Sequence, residues 1–198
     1  MAGTVDLERE ARAHLEASAK LASILAEGDL PAQVARAGGI LAESLTSGGK
    51  VMFCGNGGSA ADSQHLAAEL VGRLDATSDR VPLPGIALTT DTSILTAVAN
   101  DFGYEEVFAR QVSALARPGD SLVCLSTSGG SENVTRAARA AASIGVRVVA
   151  LVGPGASPLD ELAEISIHLP GEASGQIQQG HIAVGHALCA LAESASQA

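Results

Sequence analysis

The chain is predicted to fold as an α/β protein whose parallel sheet is covered by helices on both faces. Two observations predict this. Five short, almost continuously apolar runs at 51–54, 85–88, 121–125, 146–152 and 165–169 alternate with stretches of helical periodicity. Strands that lack apolar–polar alternation are those buried on both faces. In addition, two loops rich in glycine and hydroxyls, at 55–59 and 126–131, each follow such a run and precede a helix. Sheets of this kind bind ligands beyond the C-terminal ends of their strands.

The elements follow in order. Residues 5–47 read as helical, with Leu7, Ala11, Leu15, Leu21, Ile24 and Leu25 at helical spacing. Gly28-Asp29 interrupts, and a second helix at 31–46 ends at Ser47-Gly48-Gly49. These helices exceed what a minimal α/β unit needs, so the segment 1–48 is expected to pack against a partner subunit in a homo-oligomer. The first strand and loop lead into a helix at 60–72. After the second strand come helices at 92–98 and 105–115. The third strand and its loop lead to a helix ending near 143, and the fourth strand ends at Gly153-Pro154-Gly155. A fifth strand and a last helix at 178–194 complete a single domain, 1–198, with an α/β core at 49–198. No internal repeat or linker interrupts it.

Composition narrows the function. The chain is 46% hydrophobic and 17% charged, which is globular, but only 2% aromatic, so Ala, Val, Leu and Ile build the core. A net charge of -10 gives no electrostatic footprint for nucleic acid or anionic lipid. Small anions still have helix N-termini and backbone amides to bind. No run of 18 apolar residues predicts a span, and the charged N-terminus lacks a signal-peptide core. Cys54, Cys124 and Cys189 are widely spaced and read as reduced thiols of a cytoplasmic protein.

The first loop, Gly55-Asn56-Gly57-Gly58-Ser59-Ala60, also satisfies G-x-G-x-x-G/A through Gly55, Gly57 and Ala60. Taken alone it permits a plain tight turn or a dinucleotide, with Asp91 as the ribose partner. The second loop, Ser126-Thr127-Ser128-Gly129-Gly130-Ser131, brings four hydroxyls to a helix N-terminus and suits a phosphate. It lacks the lysine of a nucleotide-binding P-loop, which points to a monophosphate. The competing reading is N-capping by Ser128 or Ser131. His65 and Glu69 share a helix face, a spacing that suits a metal or an acid–base pair. Gln178, His181 and His186 lie on the last helix. The eight residues from Gln178 to His186 span about 12 Å of ideal helix, against metal–ligand bonds of about 2 Å. For both to reach one ion, the two side chains must lean together, Gln178 must precede the regular helix, or one of the two must come from another subunit; one of the last two routes is expected.

The runs CGNGGSAADSQHLAAELVGR, ANDFGYEEVFARQV, STSGGSENV and IQQGHIAVGH, in this order and spacing, resemble the phosphoheptose isomerases, single sugar-isomerase (SIS) domain proteins. The resemblance covers nearly the whole chain. It implies a five-stranded parallel sheet with flavodoxin-like winding, N-terminal helices that build a homotetramer, and conversion of sedoheptulose 7-phosphate to a glycero-manno-heptose 7-phosphate. It implies sugar contacts at Asn56, Gly57 and Gly58, with Asn100 and Asp101 in the same pocket. Ser126, Thr127, Ser128 and Ser131 would hold the phosphate, and Arg73 would lie nearby. His65, Glu69, Gln178 and His186 match the zinc set, one ion per subunit, with Gln178 also at the substrate. Glu69 matches the base and His186 the acid. Gly130, Gly175 and Gln176 depart from the family's Asn, acidic residue and Arg, at the mouth of the site, and bear on sugar stereochemistry. The alternatives are a non-catalytic SIS protein of the replication-initiator-associating type, which lacks the counterparts of Glu69 and His186, and a sugar-phosphate sensor.

Overall fold

The computed structural model describes residues 6–77 and 79–196. Two helices, α1 (Leu7–Leu25) and α2 (Leu30–Thr46), precede β1 (Val51–Gly55) and α3 (Gly58–Val71). Next come β2 (Gly85–Ala87), α4 (Thr92–Phe102), a 3-10 turn at Tyr104–Glu106 and α5 (Ala109–Leu115). Then follow β3 (Ser121–Ser126), α6 (Glu132–Ser143) and β4 (Arg147–Val152). A 3-10 turn at Pro158–Glu161, β5 (Ile165–His168) and α7 (Ser174–Ser196) come last. The first predicted helix begins at residue 5, which lies outside the described residues. The last begins at Ser174, four residues earlier than predicted.

All five strands are parallel, in the order β2-β1-β3-β4-β5. This is the flavodoxin-like winding. Alternate residues of each strand enter different cores, as the two-residue pleat requires. Phe53, Val123 and Leu151 meet α2, α3 and α7 on one face. Met52, Leu122 and Val148 meet α5 and α6 on the other. Cys54 and Cys124 are neighbours in register, and the Cys54 thiol donates to Cys124 Sγ at 3.8 Å with no disulfide between them.

The N-terminal helices divide in character. α2 buries Ala37, Ile40 and Leu41 against the core, whereas α1 leaves Leu7 76% and Leu15 69% exposed. No helix among the described residues is long and apolar enough to cross a membrane.

One buried group makes the fold sensitive to acid. His181 on α7 is fully buried, and neither ring nitrogen has a partner of hydrogen-bond geometry. Burial pushes its pKa down to about 4, partly offset by the Val152 carbonyl. A histidine held below its unfolded value of about 6.5 supports the fold fully above that pH, and the support is lost as pH falls toward the folded value. The loss over this window is about 3 kcal/mol. Urea melts of wild type and His181→Leu at pH 7 and pH 4.5 check this. The variant is expected to show the flatter pH dependence, and equal slopes would remove His181 as the cause.

Candidate active site

The two predicted loops follow β1 and β3, which are adjacent strands at the point where the winding reverses direction. Such a reversal leaves a crevice between the two connections. In the first loop, Gly57 takes φ +55, a conformation that disfavours side chains, and begins α3. In the second, the Gly129 amide turns back to the Ser126 carbonyl at 3.0 Å. Ser131 stands at the N-cap position of α6, yet its side chain makes no capping bond. It accepts instead from the buried Ser126 hydroxyl at 3.2 Å, and Ser128 Oγ accepts from the Gly130 amide. The capping reading therefore fails for Ser131. Thr127 is half-buried and Ser128 exposed, so the loop offers hydroxyls to a ligand at the N-terminus of α6.

α3 carries His65 and Glu69 toward α7, which carries His186. Gly185 allows this approach, because a Cβ there would stand 2.6 Å from the side chain of Leu66. His65 Nε2 lies 2.7 Å from His186 Nε2 and 3.2 Å from Glu69 Oε1. One ligand atom from each of the three falls within 4.8 Å of the others. The His65 side chain is 48% exposed and that of Glu69 17%, so the cluster opens to solvent on one side. Two ring nitrogens face to face need a shared proton or a cation between them. Tetrahedral zinc with bonds of about 2.0–2.1 Å sets its nitrogens about 3.3 Å apart. A small parting of the rings accommodates that span, so the donor set fits a metal.

Gln178 sits elsewhere. Its carboxamide lies over Gly58, where an added Cβ would come within 2.6 Å of it. Gly58 precedes His65 by seven residues, about 10 Å along α3. Gln178 is also inside the regular helix, since α7 begins at Ser174. One of the routes expected for Gln178, a position before the helix, is thereby excluded.

Asn100 and Asp101 are exposed on the last turn of α4, hydrogen-bonded to each other at 2.7 Å. This segment reaches the first loop through Tyr104, whose hydroxyl donates to Asn56 Oδ1 at 3.0 Å. Arg73 is exposed just past α3. Asp91 is the N-cap of α4, its Oδ1 accepting from the Ile94 amide at 2.9 Å, a structural role that the dinucleotide alternative did not foresee. Gly175 faces open space, and a Cβ on Gly130 would meet only the Ser128 carbonyl, at 4.0 Å. Gln176 Oε1 accepts from the Glu172 amide.

Sequence reasoning missed three residues. Asp62, one turn before His65, has a buried and unpartnered Oδ2. Burial raises its pKa and the nearby His65 counters part of that rise. The 62/65/69 spacing on α3 was a signal that would have found it. Asn133 and Tyr104, which hold Asn56, left no such signal, because their contact is made across elements.

A family model described as the SIS domain matches residues 15–153. The phosphoheptose isomerase of Rhodospirillum rubrum is 53% identical over 96% of this chain and 98% of its own length. That of Akkermansia muciniphila is 56% identical over 84% of this chain and 85% of its own. The solved structure of a phosphoheptose isomerase from Francisella tularensis matches with a TM-score of 0.89 at 33% identity, covering 96% of this chain and 100% of that one. Its counterpart from Neisseria gonorrhoeae matches at 0.86 and 38%, covering 95% and 99%. With the sheet order, both loops and the His65–Glu69–His186 cluster in place, the chain belongs to the phosphoheptose isomerase family of SIS-domain proteins.

Proposed function

We propose sedoheptulose 7-phosphate as the substrate of this sugar-phosphate isomerase, and a glycero-manno-heptose 7-phosphate as its product. The observation that carries the reading is the convergence of His65, Glu69 and His186 on helices that flank the crevice. Ser126, Thr127, Ser128 and Ser131 hold the phosphate. Asn56, Gly57, Gly58, Asn100, Asp101 and Gln178 face the sugar.

Moving a carbonyl from C2 to C1 needs a base for carbon-bound protons and a group that exchanges protons on the oxygens. Glu69 takes the proton from C1 while His186 gives one to O2, leaving an enediol. Glu69 then returns a proton to C2 as His186 takes one from O1. His65, Glu69, Gln178 and His186 would hold one zinc ion per subunit, which when bound supplies Lewis-acid polarisation of the sugar carbonyl.

The position of Gln178 supports a shared site, in which one of the metal-binding side chains comes from a neighbouring subunit of a homotetramer. The exposed Leu7 and Leu15 of α1 and the absence of any buried residue on α4 support the same assembly. A cytoplasmic setting is supported by the three unpaired cysteines.

The test is turnover of sedoheptulose 7-phosphate followed by NMR of the product, with zinc, with chelator and after zinc is restored, in a sample whose mass is measured by sedimentation. The expected result is a heptose phosphate formed by a tetramer, at a rate that falls with chelator and recovers with zinc. Absence of turnover in every condition would leave a sugar-phosphate-binding protein. A fully active monomer would sink the shared site.

A further inference from the structure

Asn133 lies on the first turn of α6 and is 4% exposed. A buried carboxamide must find partners. Its Nδ2 donates to Asn56 Oδ1 at 2.8 Å, and its Oδ1 accepts from Asn56 Nδ2 at 2.8 Å. The two amides close a ring between the loop after β1 and the start of the helix after β3.

The chemistry of the neighbours sets the orientation of both amides. The Val134 amide is shared between the Ser131 carbonyl and Asn133 Oδ1, each at 3.0 Å, and a carboxamide nitrogen in place of that oxygen would set donor against donor. Asn133 Nδ2 must then face Asn56, which answers with Oδ1. The Tyr104 hydroxyl donates to that same Oδ1 at 3.0 Å. A carboxamide oxygen has two lone pairs and its nitrogen two hydrogens. Both lone pairs of Asn56 are occupied and one hydrogen is used, so a single N–H is left for a ligand.

We propose that Asn133, supported by Tyr104, is a positioning residue that presents Asn56 to the sugar as a hydrogen-bond donor only and ties that donor to the phosphate loop. The inference rests on the reading that the first loop meets the sugar and the second the phosphate. Oxygens on C1 and C2 gain negative charge as the enediol forms, and a fixed donor favours that charge. A freely turning amide would offer its oxygen for part of the time and lose the benefit.

The test compares Asn133→Ala, Asn56→Ala, the double variant and Tyr104→Phe by kcat and KM, with inhibition by inorganic phosphate measured alongside. Asn133→Ala is expected to lower kcat about tenfold, the value of one oriented hydrogen bond at the transition state. Phosphate inhibition should stay near wild type, and the double variant should be no slower than Asn56→Ala. Multiplying losses, or wild-type kcat in Asn133→Ala, would overturn the proposal. Should Asn133→Ala not fold, Tyr104→Phe decides. This residue is 57% exposed, so the variant keeps its melting temperature, and a wild-type kcat in it overturns the assignment. A Thr127→Val control reports on the underlying reading. Unchanged phosphate inhibition there shows that the phosphate reading itself has failed.

Discussion

Glu69→Gln is expected to cost between about 10² and 10⁴ in kcat, the usual contribution of a positioned proton-transfer group. The substitution keeps the size of the side chain and one oxygen near His65 Nε2, now 3.2 Å from the Glu69 carboxylate. It removes the negative charge, and with it the ability to accept a proton from carbon. Melting temperature and phosphate inhibition should therefore stay close to wild type, and zinc content measured on the same sample separates loss of the base from loss of a ligand. A Glu69→Gln enzyme that turns over at the wild-type rate with zinc bound would end the assignment of Glu69 as the base.

Asp120→Ala is expected to destabilise the fold by about 3–5 kcal/mol, the cost of stripping one partner from a buried ion pair. The Asp120 side chain is 4% exposed and accepts from Lys50 Nζ at 2.5 Å. It also accepts from the backbone amides of Lys50 at 2.9 Å and Arg117 at 2.8 Å. It thus fastens the entry to β1 to the entry to β3, at the end of the sheet opposite the loops. Burial alone would raise its pKa, but the bonds from Lys50 and Arg117 outweigh burial and hold it below the ordinary carboxylate value of 3.8. A depressed carboxylate supports the fold above the unfolded pKa, and that support is lost as pH falls through the folded value. Urea titration at pH 7 and pH 3 should show a large difference between wild type and Asp120→Ala at the first and a smaller one at the second. A pH 7 loss below about 1 kcal/mol would place the pair with ordinary surface contacts. Activity per folded molecule should not change.

Because stability and chemistry sit at opposite ends of the sheet, these two variants should separate cleanly. Glu69→Gln changes rate without stability, and Asp120→Ala changes stability without rate. His181 lies between the two classes, since it is a buried titratable group on the same helix as His186.

Much of this was already legible in the residues. Continuous apolar runs separated by helical periods are sufficient for a doubly covered parallel sheet, because burial on both faces removes most polar positions from a strand. The loops at 55–59 and 126–131 were legible because glycine and clustered hydroxyls are costly to explain as structure alone. His65 and Glu69 were legible because helical spacing is local. The arrival of His186 beside them was decided by the packing of α3 on α7, where Gly185 permits close approach. The place of Gln178 was decided by where α7 begins, and helix ends are weakly encoded. The clasp of Asn133 and Tyr104 on Asn56 was decided by strand order, which sets residues 77 and 48 positions from Asn56 against one amide. Residue order alone was enough for the layers, the two glycine- and hydroxyl-rich loops and the chemical types near them. Which side chains come within one atom's reach of each other was left to the packing of the folded chain, because it depends on contacts between segments whose separation carries no periodic signal.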